Sequence, residues 1–269
     1  MSSTEKLLRV QGGDPELIRL VGRNYLDDPV NYAYLLYDIA VYPDVSKALL
    51  RVEDDVIVGY ALAWFRFEPQ TVILYGELSG VPLYEVLRLK SLVWVPFNEY
   101  PSVKRELLKY GSVSDERVML DMVATPDTFP WGVTYMAECV KLKPSDIDAL
   151  QEFWDSVGVK ISREVLLEAL NDHVCYGVFI DGKLVSVART YVRTPNVWVV
   201  GGVFTHPDFR GRGFAKAVTA AVTREALLSG AYALLHVRED NYPAIRAYRR
   251  IGYELIGRRV WVSFTPRVM

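Results

Sequence analysis

The run Val203-Phe204-Thr205-His206-Pro207-Asp208-Phe209-Arg210-Gly211-Arg212-Gly213-Phe214-Ala215 constrains this chain more than any other. An apolar strand leads into a short arginine- and glycine-bearing turn, and a helix of small residues, Phe214 to Ser229, follows until Gly230. Gly211 and Gly213 carry no Cβ, so backbone amides in the turn can lie against a bulky anion. The first helical turn adds unpaired N–H donors and the positive end of the helix dipole. Together these make a site for a diphosphate, with Arg210 and Arg212 supplying charge at its rim. No Gly-Lys-Ser/Thr follows, which excludes a Walker loop, and the glycines are too few for the dinucleotide fingerprint.

The rest of the chain sets broad bounds. Its 269 residues are 51% hydrophobic and 24% charged, with room for one large or two ordinary domains. A net charge of −2 gives no basic field for nucleic acid or an anionic membrane. Cys139 and Cys175 are too few for a disulfide framework and read as buried thiols of a cytoplasmic protein. The N-terminal MSSTEKLLRV does not read as a signal peptide, and no apolar run is long enough to span a bilayer.

Helical spacing after the cap Asp14 predicts a helix over Pro15–Asp27. Strands are expected at Ala48–Val52, Val56–Phe67 and Thr71–Tyr75, short helices at Leu83–Lys90 and Ser102–Tyr110, and a strand at Arg117–Ala124. The tyrosines from Tyr25 to Tyr42 could be core or could roof a pocket. Thr125–Gly132 is the best linker. The pattern then restarts with a strand at Tyr135–Leu142, helices after Pro144 and Ser162, and a hairpin on Asp181-Gly182. Strands at Val197–Thr205 and Ala233–Val237 follow, then a helix from Asn241 to Gly252, and Tyr253–Ile256 and Arg259–Thr265 close the sheet. Asp55 to Pro69 and Asp181 to Pro195 repeat at an offset of 126, each enclosing a strand. The same offset sets Glu85 against Gly211, Leu87 against Gly213 and Met122 against Tyr248, so the first half would lack the anion cradle.

A second run is Asn241-Tyr242-Pro243-Ala244-Ile245-Arg246-Ala247-Tyr248-Arg249-Arg250-Ile251-Gly252-Tyr253. With Arg210 to Ala215 it resembles the GNAT superfamily of acyl-CoA-dependent N-acyltransferases. The first run is similar to the family's Arg/Gln-x-x-Gly-x-Gly/Ala loop; Asn241, Ala244, Tyr248 and Gly252-Tyr253 fit its Asn-x-x-Ala-x-x-x-Tyr helix and glycine-aromatic ending. The resemblance covers roughly Tyr135 to Ile256. It implies an α/β fold of tandem GNAT-like domains, each a mixed, mostly antiparallel sheet flanked by helices. The expected division is a degenerate N-terminal domain, residues 1–132, and a catalytic domain, residues 133–269.

The resemblance also implies roles. Val203, Phe204 and Thr205 would pair their backbone with the pantetheine arm of acetyl-CoA, and Arg210, Gly211, Arg212, Gly213, Phe214 and Ala215 would hold its diphosphate. Asn241 would cap its helix and contact the arm, Ala244 would leave it room, and Tyr248 would protonate the departing sulfur. The family's usual glutamate base is absent, since Gly201 and Gly202 stand in its place. His236 occupies the position of a glutamate in ribosomal-protein alanine acetyltransferases, and its ordinary pKa of ~6.5 suits a base. His206 reads as shaping the turn and His173 as a helix cap; the scattered histidines and cysteines suggest no metal. The expected protein is an N-acetyltransferase acting on a small-molecule or protein amine, as monomer or homodimer. A catalytically idle acyl-CoA-binding regulatory module is the alternative.

Overall fold

The computed structural model describes residues 5–11, 13–133 and 138–267. The chain divides into two compact units, one of Met1–Leu120 with Gly257–Met269, the other of Asp121–Ile256. The sequence places one boundary at residue 132; in the structure the strands before and after the second unit extend into both units.

In the first unit β1 (Glu5–Gln11) precedes α1 (Pro15–Asp27) and α2 (Pro29–Val41), and then β2 (Ser46–Glu53), β3 (Val56–Trp64), β4 (Gln70–Gly76) and β5 (Ser91–Pro96). α3 (Tyr100–Tyr110) leads into β6 (Gly111–Ala124). α1 starts where expected because Asp14 Oδ1 accepts from the Glu16 amide at 2.9 Å and Pro15 has no amide to satisfy. β2 and β3 form a hairpin on Asp54 and Asp55, both at positive φ. Tyr25, Tyr32 and Tyr37 are buried, and Tyr32 packs on Tyr60 and Tyr75 at 5.5 and 5.7 Å, so this tyrosine stripe is core.

The second unit continues with β7 (Val140–Lys141), α4 (Ile147–Ser156), α5 (Arg163–Asp172), β8 (Cys175–Ile180), β9 (Lys183–Arg193) and β10 (Val197–Thr205). α6 (Phe214–Leu228), β11 (Tyr232–Arg238), α7 (Tyr242–Ile251) and β12 (Glu254–Pro266) complete the chain. Within it the strand order is β6-β11-β10-β9-β8-β7; the pairs from β10 to β7 are antiparallel and the β10–β11 pair is parallel. The β8–β9 turn has Asp181 and Gly182 at positive φ, as the hairpin reading requires. Leu142, Ile147, Phe153, Leu166, Leu170 and Leu184 form the core between α4, α5 and this sheet. In the first unit the order is β1-β2-β3-β4-β5-β12-β6, and Trp94 of β5 stacks on Trp261 of β12 at 4.3 Å. Both units are mixed, mostly antiparallel sheets flanked by helices.

Several expectations change. Leu83–Lys90 is no helix; only the 3₁₀ turn Leu83–Glu85 forms, and packing of Leu83, Val86 and Leu87 into the core holds the segment. β1 and β5 are strands that the sequence patterns did not single out. Tyr253–Ile256 and Arg259–Thr265 belong to one strand, β12. Of the strand expected at Tyr135–Leu142, only Val140–Lys141 is a strand, and residues 135–137 lie outside the described residues. The offset of 126 carries the starts of β3 and β4 onto those of β9 and β10 to within a residue, then fails. β5 begins at Ser91 and β11 at Tyr232, a further shift comparable to the 15 residues of α6, which has no counterpart in the first half. Counted back from the glycines that follow α3 and α7, Gly111 and Gly252, the residue matching Tyr248 is Leu107 rather than Met122.

Candidate active site

The two parallel strands of the second unit part company. Val197–Val199 pair with Tyr232–Leu234, but β10 runs on to Thr205 and β11 to Arg238. The cause is in β10: its register against β9 shifts between Val199 and Val200 and again between Gly201 and Phe204, with Gly202 at φ +58. Beyond the bulge Phe204 turns its ring onto Phe153 and Trp154 of α4, and Thr205 bonds Ser186 through its hydroxyl at 2.8 Å. These side chains are engaged in the fold, so Val203, Phe204 and Thr205 have their backbone to offer a ligand.

The turn into α6 keeps its amides open. Gly211 and Gly213 have φ of 77° and 82°, left-handed backbone that a side chain disfavours. A Cβ at either would meet nothing within 4 Å, so what they supply is conformation and an uncovered face. Gly213 is the N-cap of α6 and gives it no side-chain cap. Phe214 and Ala215 form the first turn. These features fit a diphosphate. Arg212 lies over Phe209 at 5.2 Å. Arg210 lies over Phe204 at 5.6 Å and its Nε donates to the Thr205 carbonyl at 3.3 Å, which ties the turn to the end of β10.

α7 is held at both ends. Asn241 Oδ1 accepts from the Ala244 amide at 3.3 Å, as a cap should. Gly252 has φ of 99°, and a Cβ there would stand 2.2 Å from the Thr128 carbonyl oxygen. Arg246, Arg249 and Arg250 are exposed. Tyr248 packs against Tyr253, ring centroids 5.9 Å apart; burial, with the nearby Tyr191 phenol, pushes its hydroxyl up to about 12. It therefore stays protonated throughout neutral pH.

Two residues at this site escaped the sequence reading. Tyr191 of β9 fills the space left by Gly201, where a Cβ would lie 2.2 Å from its ring. Tyr191 Oη and Arg189 Nε each approach a Cβ position on Gly202 to 3.4 Å, and Arg189 stacks on Tyr191 at 4.6 Å. Arg189, Tyr191, Gly202 and Tyr248 thus gather at the bulge. The signal was available: two glycines inside a strand mark a place where something large approaches.

His236 sits on β11 with its Nδ1 2.7 Å from Asp121 Oδ1 of β6, the two side chains only 5% and 6% exposed. The pairing orients the imidazole, but Nε2 has no exposed surface, so an amine reaches it only if local packing gives. Asp121 also went unnoticed, although an acid inside the apolar run Val118–Ala124 calls for a buried partner. His206 Nδ1 accepts from the Asp208 amide at 3.3 Å and shapes the turn. His173 ends α5 through its backbone; burial first, then Arg189 and Arg193, lower its pKa to about 4. Cys175 is buried and Cys139 half-buried, each thiol pushed up to about 11 by burial, which leaves neither as a ready nucleophile. Among the described residues no group of three or more His, Cys, Asp or Glu is placed to hold a metal ion, and no helix is long and apolar enough to cross a membrane.

A bulged strand parting from its parallel neighbour, a glycine turn at a helix mouth and a tyrosine on the next helix make up the candidate site. Residues 143–253 match the Acetyltransferase (GNAT) family model. An acetyltransferase of Yersinia enterocolitica is 40% identical over 64 residues, 22% of this chain and 45% of that protein. The mycothiol acetyltransferase of Saccharomonospora viridis is 29% identical over 206 residues, 65% of each. The chain thus spans less than two thirds of either relative. The solved structure of a tandem GNAT protein from the clavulanic acid biosynthesis pathway matches with a TM-score of 0.63 at 12% identity, over 98% of this chain and all of that one. The fold of this chain is accordingly tandem GNAT-like.

Proposed function

We propose that this protein is an N-acetyltransferase that moves an acetyl group from acetyl-CoA to a primary amine by direct attack, with the second unit as its catalytic half. The observation that carries the reading is the convergence of the bulged β10, the open amides at the α6 mouth and a half-buried, protonated Tyr248 in one unit. Acetyl-CoA supplies the activated acyl group. The turn from Arg210 to Ala215 grips the diphosphate, and the backbone of Val203–Thr205 aligns the arm past Ala244. Amides at the bulge polarise the acyl carbonyl. As the C–N bond forms and the C–S bond breaks, Tyr248 Oη gives its proton to the departing sulfur. The proton leaving the amine passes to the His236–Asp121 pair, Asp121 holding Nδ1–H so that Nε2 carries the lone pair. An idle acyl-CoA-binding module would have no use for a proton donor beside the sulfur.

A thiol-release screen of amines with acetyl-CoA tests this. Acceptor-dependent release in the parent that falls about 100-fold or more in Tyr248→Phe, with coenzyme A binding retained, supports the reading. Release at background for every amine despite tight coenzyme A binding would favour the idle module.

A further inference from the structure

Arg189 is a half-buried cation beside the β10 bulge. It faces the left-handed Gly202 at the β10 bulge, with its stem 3.1 Å and its Nε 3.4 Å from the Cβ position there, and its guanidinium lies 4.6 Å over Tyr191. Tyr191 is 40% exposed, so this corner opens to solvent, and its phenol lies within electrostatic reach of the Tyr248 hydroxyl. A second arginine of the same strand, Arg193, lies over Trp198 at 5.2 Å. Among the described residues no carboxylate pairs with either guanidinium. Both add to the burial that lowers the pKa of His173 to about 4.

We infer that Arg189 is the specificity residue of the acceptor site, and that the acceptor carries an oxyanion, a carboxylate or a phosphate, a few atoms from its amine. The inference rests on the reading of the Tyr248 corner as the site of acyl transfer. Three points of chemistry support it. A half-buried guanidinium with no carboxylate of its own is a fork of donors shaped for one oxyanion. Its positive field also disfavours an ammonium ion beside it, which helps release the neutral amine that attack requires. The same field repels a simple cationic amine, whereas an acceptor with its own negative charge arrives neutral overall. Stacking on Tyr191 fixes the plane of the fork, and Gly202 leaves the approach uncovered because a side chain there would press on the arginine stem.

The test compares matched acceptors that differ in charge alone: leucine against leucinamide, phenylalanine against phenylalaninamide, and phosphoethanolamine against ethanolamine. The amino acid pairs read a carboxylate and the last pair a phosphate. Thiol release with acetyl-CoA is followed in the parent, Arg189→Gln and Arg189→Lys. The inference expects a KM about tenfold or more lower for the charged member of at least one pair. In Arg189→Gln that KM should rise to the level of the uncharged partner, with the loss in KM rather than kcat and the KM for acetyl-CoA kept; Arg189→Lys should recover part of it. Calorimetric titration of the same pairs into protein saturated with coenzyme A reads the preference without turnover. A preference that depends on Arg189 by calorimetry, with no thiol release, would uphold the inference while removing the acetyl transfer. Absence of any charge preference in the parent, or a preference that survives Arg189→Gln, would overturn it.

Discussion

In the second half, residues 206–231 carry the chain from β10 to β11 by way of a glycine turn and α6; in the first half, residues 77–90 join β4 to β5 with a single 3₁₀ turn. The missing helix takes with it the mouth that the proposed function assigns to the diphosphate. In the segment that stands in its stead Glu85 makes ion pairs with Arg9 at 2.9 Å and Lys47 at 2.8 Å, hydrogen bonds that push its carboxyl down to about 2. The end of β4 is closed as well, since the Gly76 amide donates to Glu99 at 2.9 Å. The cavity beside it, about 790 Å³, is lined by Glu77, Glu99 and Glu106 together with Lys109, and Glu106 pairs with Lys109 at 2.6 Å and Glu77 with Arg51 at 3.2 Å. Finally, Leu107 is fully buried where α7 carries Tyr248. The same sheet plan has thus been turned to two ends: one half keeps donors and a phenol in reach, the other packs apolar groups and neutralises its acids internally.

Substitutions at matching positions sharpen that contrast. The largest effect is expected on turnover: Tyr248→Phe should lose about 100-fold or more in kcat, read by thiol release, whereas Leu107→Met should leave it within about twofold and change only the melting temperature. Next come the glycines that end the two helices. A Cβ on Gly252 or Gly111 would stand 2.2 Å from a carbonyl oxygen, Thr128 or Thr265 respectively. Either change to Ala should destabilise by about 2–4 kcal/mol in denaturant titrations, with Gly252 also paying for its left-handed φ.

The halves should also answer to pH in opposite senses. Burial raises the Asp38 carboxyl of α2 to about 8, so the folded chain holds this proton while the unfolded chain has lost it near 4; stability falls as pH rises from about 4 to about 8. His173 is lowered to about 4, so the unfolded chain binds a proton first, and stability falls as pH drops from about 6.5 to about 4. Asp38→Asn should raise the melting temperature at pH 8, and His173→Gln should flatten the acid limb by about 1–3 kcal/mol; variants whose melting curves track the parent across both ranges would contradict these assignments. The smallest effect belongs to Glu85→Gln, about 1 kcal/mol or less, because Arg9 is largely exposed and its ion pair well screened.

Much of this contrast was legible beforehand. β10, α6, α7 and the β8–β9 hairpin follow from local signals: glycines at positive φ, Asn241 as a cap, Asp181-Gly182 as a turn. Those same signals mark the proposed diphosphate cradle and Tyr248, because a helix mouth and a helix face are local objects. β5 was missed because its run, Leu92 to Val95, is short and bounded by residues that read as turns, and its strand state comes from pairing with β12, distant in sequence. Arg189, Tyr191 and Asp121 were hidden for a related reason. Each gains its role from a neighbouring strand: the two β9 residues from the bulge in β10, and Asp121 from His236 on β11. Strand register is set by the whole sheet, so it is not written in either segment alone.

Equilibrium titration with coenzyme A tests the division of labour most directly. The account predicts one molecule bound per chain, with affinity lowered about tenfold or more in Gly213→Val and unchanged in Glu85→Gln. Two molecules per chain, or binding indifferent to Gly213→Val, would contradict it.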